Sequence, residues 1–464
     1  MTDAFTRRNF LRGAAATGGA GALALLAAAC STGSGGRSSD PNRVSLWGVT
    51  GTFVPFQTKV IDDFTRLHPE IDVQVDVVPS QGTGDATSII TAVRGGTAPD
   101  LWLLDRFSAA QYAAIGLIEP IDELIDRYED QPKDEFLQQW LGFTVGELTY
   151  EGATYGLPHD TDARGMFVNR RMLRNAGVDP DEFDWEQNGP STFERVWEVS
   201  EKVTKKSGSD YTHVGLLPWY GEGWPFTWGL GLGASYYDQQ ASRMTMDSAG
   251  VRRVFEFYAD WADRYGYRAA DTFKATYEPT GHPPGQMAFL ADRMAFMVSV
   301  PSTIQTFDNY GPDDLDWTMS YLPTESAGDP SYTWSGGYAL CLPKGSKKTR
   351  AVWEVMKYFT GRQGQKTYMV PATSVPSNVE ALRDPTASAK SIRFFVESMG
   401  DSTCRPPLPV GGAWWDSLAD ARSSVLIGSA TPQEAVERAQ ARVDPMMQTY
   451  APFRLPADYD RVQV

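Results

Sequence analysis

The chain has 464 residues, 42% of them hydrophobic and 22% charged, and a formal net charge of −16. An acidic balance of this size, with no run of Lys or Arg to offset it locally, repels a phosphate backbone and excludes nucleic acid as the expected partner. Four widely spaced histidines and three cysteines, with no His-Glu-x-x-His and no Cys-x-x-Cys, give no metal site, and no cofactor is expected.

Arg7 and Arg8 open a basic stretch that runs through an Ala/Gly/Leu segment and stops at Cys30. A basic n-region, a short apolar h-region and a run of small residues read as an export signal over residues 1–29. The paired arginines with Phe10-Leu11 behind them resemble a twin-arginine signal. Leu26-Ala-Ala-Ala-Cys30 resembles a bacterial lipobox, with alanine where leucine is commoner three positions before the cysteine. Cys30 is therefore the expected lipidation site, followed by a flexible tether over residues 30–42, and the chain is expected on the outer face of the cytoplasmic membrane as a lipoprotein. The apolar segment is too short and too glycine-rich for a transmembrane anchor. Residues 1–29 carry three arginines and one aspartate, so the remainder sits near −18. It is long enough for two or three lobes with their own cores.

The first hundred residues of that remainder alternate. Val44–Trp47 reads as a strand, and Phe56, Val60, Ile61, Phe64 and Leu67 share one helical face that His68-Pro69 ends. Ile71, Val73, Val75 and Val77 alternate as a second strand. Asp85 can cap a helix carrying Ile89, Ile90 and Val93, which Gly95-Gly96 terminates, and Leu101–Leu104 is a third, buried strand. This β-α-β-α-β order predicts a parallel sheet in an α/β fold. Ligands bind outside the carboxyl ends of such strands, which singles out Trp47 and Asp105. Beyond it, Gly165–Val168 and Gly336–Pro343 read as strands, and Val251–Tyr265 and Ala351–Phe359 as amphipathic helices. The last helix starts at Thr431-Pro432 and carries Ala435, Val436, Ala439 and Val443. Cys341, in an apolar run, and Cys404 read as two buried free thiols, with a disulfide between them as the alternative.

Several segments match one family in one order. They are Phe64-x-x-x-His-Pro-Glu-Ile71, Gly96-Thr-Ala-Pro-Asp-Leu-Trp102 leading into Asp105-Arg-Phe107, Tyr150-Glu-Gly-x-x-Tyr-Gly-Leu-Pro158 and Phe167-Val-Asn169. Pro225-Phe-Thr-Trp228, Gly336-Gly337, Pro343-Lys-Gly345, Arg405-Pro-x-x-Pro409 near Trp414-Trp415, and Thr431–Gln440 follow. With them the chain resembles the bacterial extracellular solute-binding proteins of the maltose-binding-protein type, the ligand-capturing subunits of ABC importers. The resemblance implies a periplasmic-binding-protein-like fold of two lobes joined by crossover strands around a ligand cleft. By position, residues 43–158 and 323–374 would form one lobe and 159–322 and 375–464 the other. It also implies a non-enzymatic monomer that passes a sugar, an oligosaccharide by expectation, to the transmembrane subunits of an ABC permease.

A sugar cleft needs flat apolar faces and planar polar groups. In the glycine-punctuated run Trp219–Trp228, Trp224 and Trp228 are candidates, and Trp334 before Gly336-Gly337 and Trp414 are others. Packing is the competing role for every one of these rings. Asp105 with Arg106 is the leading polar pair, Asp105 being also a plausible helix cap. Asp160 and Asp162 could bind ligand or lock the hinge. Arg405 could fork onto a hydroxyl pair or form an inter-lobe salt bridge, and Ser299 ends a strand that could face the cleft. The alternatives are a glycerol-phosphodiester-binding protein of the same fold, with Arg405 and Ser299 on the phosphate, and a secreted glycosidase, for which no motif speaks.

Overall fold

The computed structural model describes residues 38–48, 54–76, 86–278, 283–384, 390–457 and 459; the export signal, Cys30, most of the tether, Val77 and Asp85 lie outside them. Strand β1 (Arg43–Trp47), helix α1 (Val54–Leu67), β2 (Asp72–Asp76), α2 (Thr87–Gly95) and β3 (Leu101–Asp105) follow in the order read from the sequence. β1 pairs in parallel with both β2 and β3. Val60 and Phe64 of α1 and Val44 and Leu46 of β1 are all but fully buried, so the apolar stripe of the helix lies on the sheet. Gly96 stops α2 in the left-handed conformation at φ 69°, its N–H on the last carbonyls. Asp100, 1% exposed, accepts both the N–H and the hydroxyl of Ser45 at 3.0 Å, which pins β1 to the turn before β3.

β4 (Ile118–Glu119) and β5 (Gly156–Pro158) add to this sheet, while β6 (Gly165–Asn169), β7 (Phe296–Ser299) and β8 (Trp317–Ser320) form a second, antiparallel one in the order β7-β6-β8. β9 (Thr333–Ser335) leads into β10 (Tyr338–Pro343), which returns to the first sheet and runs antiparallel to β3, β4 and β5. The first sheet is thus ordered β2-β1-β3-β10-β4, with β5 also on β10. The chain leaves it at Pro158 and enters the second sheet at Gly165; it leaves the second at Ser320 and re-enters the first at Tyr338. β11 (Ser402–Cys404) pairs in parallel with β9 between the two sheets.

Helices carry the rest of the core. The stripe Val251, Val254, Phe255, Tyr258, Trp261 and Tyr265 of α3 (Ala249–Tyr265) is buried, as is that of α4 (Arg350–Thr360). α5 (Gly411–Leu426) and α6 (Pro432–Gln448) pack on α3 and on each other. α6 begins with a capping box in which Thr431 and Glu434 satisfy each other's backbone N–H, and Pro432 occupies its first turn. Cys341 and Cys404 are free and buried; burial pushes both thiols far above the ordinary range.

One close approach shows how tightly the second layer is set. Ser200, on the helix Phe193–Val203, donates its hydroxyl to Val196 and accepts Leu216 N–H at 3.1 Å, which draws that helix onto Gly215. A Cβ at Gly215 would collide with the Ser200 backbone as well as its side chain. Gly215→Ala is expected to destabilise the chain by about 1–3 kcal/mol through overpacking, read as a lowered midpoint in urea unfolding; an unchanged midpoint would show that this layer yields.

Candidate functional site

Because β1, β2, β3 and β5 run the same way, their carboxyl ends share one edge of the first sheet, and Tyr338 starts β10 in register with Asp105. That edge carries Trp47, Asp76, Asp105, Tyr338 and, just past Pro158, Asp160. β1 ends in register with Trp102, three residues before Asp105, so Trp47 stands roughly 10 Å behind the rim; its Nε1 donates to Asp76 at 3.2 Å. From the second sheet, Arg164 immediately precedes β6, and Ser299 ends β7 opposite Gly165. The chain segments between the sheets therefore bring two strand edges face to face.

Beneath this opening lies Arg106, with no exposed surface. Its Nε donates to Glu147 at 2.8 Å and its Nη2 to the Gly336 carbonyl at 2.5 Å, while Nη1 donates to the Asp160 carbonyl. Burial pushes the Glu147 carboxyl up from the ordinary glutamate value, against the pull of Arg106 and Arg405. Burial also works against the Arg106 charge, but Glu147 and the neighbouring groups outweigh it and hold the guanidinium protonated. Gly337 makes the approach possible: it sits at φ +130°, and a Cβ there would collide with Arg106 and stand 2.6 Å from the Asp160 carbonyl. Asp160 and Asp162 each use one carboxylate oxygen on the opposite segment, Asp160 on Tyr338 N–H and Asp162 on Gly336 N–H, both at 2.5 Å.

Asp162 and Arg164 point the same way along an extended segment. Arg164 binds Asp162 at 2.5 Å and Glu222 at 3.3 Å, and lies flat on Trp334, 3.3 Å from the ring centre. Burial pushes the Asp162 carboxyl up, opposed by Arg164 and by Gly336 N–H. Glu222 also accepts Trp224 Nε1 at 3.3 Å. Trp224 is half-buried and packs on Trp415 at 5.5 Å, with the Arg422 guanidinium 5.0 Å from its ring centre. Trp415 in turn flanks Arg405, whose Nη2 binds Asp105 at 2.7 Å. Platform, salt bridge and crossing segments thus form one contiguous surface from Trp224 to Asp160. Tyr338 is 40% exposed although protein crowds it on several sides, as a ring standing in a concave opening is; burial and the carboxylates of Asp105, Asp160 and Asp162 push its phenol up.

The structure gives several residues roles other than those read from the sequence. Arg106 was expected against ligand, but with no exposed surface it holds carbonyls together. Trp228 and Trp414 are fully buried; Trp228 donates to the Pro218 carbonyl at 2.8 Å, and Trp414 packs among Phe107, Phe226 and Tyr236. Trp334, 1% exposed, donates to Thr227 at 3.0 Å beneath Arg164 and Arg405. Gly336 and Gly337 admit Asp162, Asp160 and Arg106 rather than open space. Asp105 does cap the turn that follows, accepting Phe107 N–H at 3.1 Å, and Arg405 does form the salt bridge. Ser299 lies at the strand end with its hydroxyl on Thr303 at 2.6 Å. Arg164, Glu222, Tyr338 and Trp415 were not singled out. The spacing of Asp162 and Arg164 held a signal, whereas the Trp414-Trp415 pair did not, since both rings are buried, at 0% and 8% exposed. Among the described residues no group of three or more His, Cys, Asp or Glu side chains could hold a metal ion.

A family model described as bacterial extracellular solute-binding protein matches residues 59–394. A maltotriose-binding protein of Pyrococcus abyssi is 22% identical over 383 residues, 80% of this chain and 75% of its own length. Among solved structures, CpMnBP1 with bound mannotriose superposes with a TM-score of 0.75 at 21% identity, over 87% of this chain and 100% of that one. The GacH receptor of Streptomyces glaucescens, solved unliganded and with acarbose, gives 0.69 at 21% identity, over 88% and 98%. These likenesses establish the two-lobe fold.

Removing one member of the buried pair isolates its contribution. Arg106→Met leaves Glu147 buried without its cation and two carbonyls without their donor, and is expected to cost about 3–5 kcal/mol in urea unfolding. Arg106→Met with Glu147→Leu should recover part of the loss, short of the two orphaned carbonyls; no recovery would mean that the carbonyl bonds carry the whole effect.

Proposed function

Because the chain belongs to the bacterial extracellular solute-binding protein family, we propose that it captures a neutral oligosaccharide between its two lobes and delivers it to the transmembrane subunits of an ABC permease. The observation that carries this reading is the pairing of Trp224 and Trp415 beside carboxylates that keep free oxygens. The half-exposed indole offers a flat face for the C–H side of a pyranose. Asp105, Asp160 and Asp162 each commit one oxygen to the protein, which leaves the other to accept hydroxyls. Acids outnumber arginines here, with Asp76, Asp105, Asp160, Asp162 and Glu222 against Arg164, Arg405 and Arg422, so a neutral ligand is favoured over a phosphodiester.

The lobes would be residues 43–158 with 323–374 and 159–322 with 375–464, and ligand touching both would shift the population toward the closed state. Asp105, Asp160, Asp162, Trp224, Ser299 and Arg405 remain the candidate contacts, joined by Tyr338 and Trp415, with Trp47 set back from the rim. The chain would act as a monomer, without catalysis, exported by a twin-arginine-type signal and tethered through lipid on Cys30. The related proteins named for maltotriose, mannotriose and acarbose support the ligand class.

Calorimetry on the chain starting at Ser31, with maltotriose, mannotriose and glycerophosphocholine as ligands, tests this. One-to-one micromolar binding of a trisaccharide is expected. Trp224→Ala should weaken it about tenfold or more, roughly 1.4 kcal/mol, and Asp105→Asn should weaken it as well. Binding of the phosphodiester alone, lost in Arg405→Ala, would overturn the carbohydrate reading. Cleavage of either sugar would overturn the binding-protein reading.

A further inference from the structure

A second concave surface lies on the other side of the β6 layer. β8 is an edge strand of the second sheet, and Trp185 N–H donates to the Met319 carbonyl at 3.0 Å, laying the Asp184–Glu186 segment along that edge. The two border an open pocket of 340 Å³ whose lining includes Trp185, Trp317, Phe394, Arg170, Asp184 and Thr318. Its base reaches toward the opening, because Phe394 and Met319 lie against Gly165, but its tryptophan end is set back from it. Trp317 pairs with Asn169 at the far end of β6 from Gly165, about 13 Å along the strand.

Its two halves differ chemically. Phe394, 1% exposed, forms an apolar base and meets Trp185 edge-on at 5.4 Å, the Arg393 guanidinium stands 5.0 Å from the Trp185 ring centre, and Trp317 rests on Phe167 at 5.4 Å. Both indoles are only half-buried, and among the described residues neither Nε1 has a hydrogen-bond partner. The polar half is ordered by its own contacts. Asp184, 9% exposed, accepts Arg170 and Thr318 at 3.1 Å each and Glu186 N–H at 3.0 Å. Arg170 is further held by Asp181 and Asp316. Two of its five N–H groups donate hydrogen bonds and a third pairs with Asp316 at 3.7 Å, and a carboxylate accepts about four bonds, so both side chains keep capacity while their positions are fixed.

We propose that this cavity is a second carbohydrate subsite, outside the cleft and one hexose wide. Half-buried indoles with free N–H groups, the apolar Phe394 and a fixed Asp–Arg pair in one pocket suit a pyranose, which presents C–H faces and hydroxyl donors and acceptors around its rim. A volume of 340 Å³ is near the small end of ligand pockets, about 300–1,000 Å³. It has room for one ring with water, not for a chain segment. Bound there, one unit of a polymer or oligosaccharide would be retained at the protein surface without entering the cleft. The inference stands whether or not the cleft takes a sugar, because none of its residues is among the candidate cleft contacts.

The test uses the chain from Ser31 labelled with 5-fluorotryptophan, its 14 tryptophan resonances resolved by 19F NMR, with those of Trp185 and Trp317 assigned from Trp185→Phe and Trp317→Phe. Maltotriose and methyl α-mannoside are titrated to tens of millimolar. The Trp185 and Trp317 signals should move together with a Kd on the order of 1 mM. That isotherm should be unchanged in Trp224→Ala and should lose the Trp317 shift in Trp185→Ala, a variant checked by thermal melting to be folded. Immobile Trp185 and Trp317 signals with both sugars would overturn the proposal. So would movement that follows the Trp224 isotherm or disappears with Trp224→Ala, since that would report lobe closure.

Discussion

The arrangement of the opening rests on one guanidinium. Arg106 reaches from the end of β3 to Glu147, to the Asp160 carbonyl and to the Gly336 carbonyl without exposing any surface. The two carbonyls belong to the two segments that join the sheets, so a side chain of the first sheet fixes where both segments pass. Desolvating such a charge costs several kcal/mol. Its planar fork recovers that cost only when every donor finds an acceptor in place. Gly337 is the complementary constraint, because no other residue would let the chain come so near.

From that fixed point the polar network spreads outward in steps of one contact. Gly336 N–H meets Asp162, Asp162 meets Arg164, Arg164 meets Glu222, and Glu222 accepts the indole N–H of Trp224. A side chain on the rim is therefore joined by charge-assisted bonds to the backbone between the sheets. The Trp334 ring lies under Arg164 and near Arg405, so both cations rest beside an apolar ring instead of extending into water. What reaches solvent is the remaining oxygen of each carboxylate and the partly open rings of Tyr338 and Trp224.

Much of this was legible in the chain. Alternation from Val44 to Leu104 gave the parallel strands, Gly96 the helix stop, and Thr431-Pro432 with Glu434 the start of the last helix, because each depends on local geometry that a few residues decide. The strand-end rule placed Asp105 at the rim. The tryptophans were harder. Trp224 and Trp228 lie in the same glycine-punctuated run, yet one is half-open and the other sealed. They stand four positions apart, Trp224 just before and Trp228 within the short helix Pro225–Gly231, and only α3 and its neighbours decide which is covered. Arg106 was misassigned for a similar reason: sequence marks a charge beside Asp105 but not the two carbonyls that wait for it from distant segments. Arg164 escaped notice because its partners, Glu222 and Trp334, are brought near only by the fold.

Cys341 and Cys404 are free, and each is sealed in the core. For a protein of an exported family this has a consequence for assembly. No bond between these two thiols awaits an oxidant, so the same core can close in a reducing compartment before export as in an oxidising one after it. Neither sulfur offers a handle by which redox conditions outside the cell could grip the folded molecule. Its persistence there depends on packing and on the buried ion pair, which the surrounding redox potential does not touch.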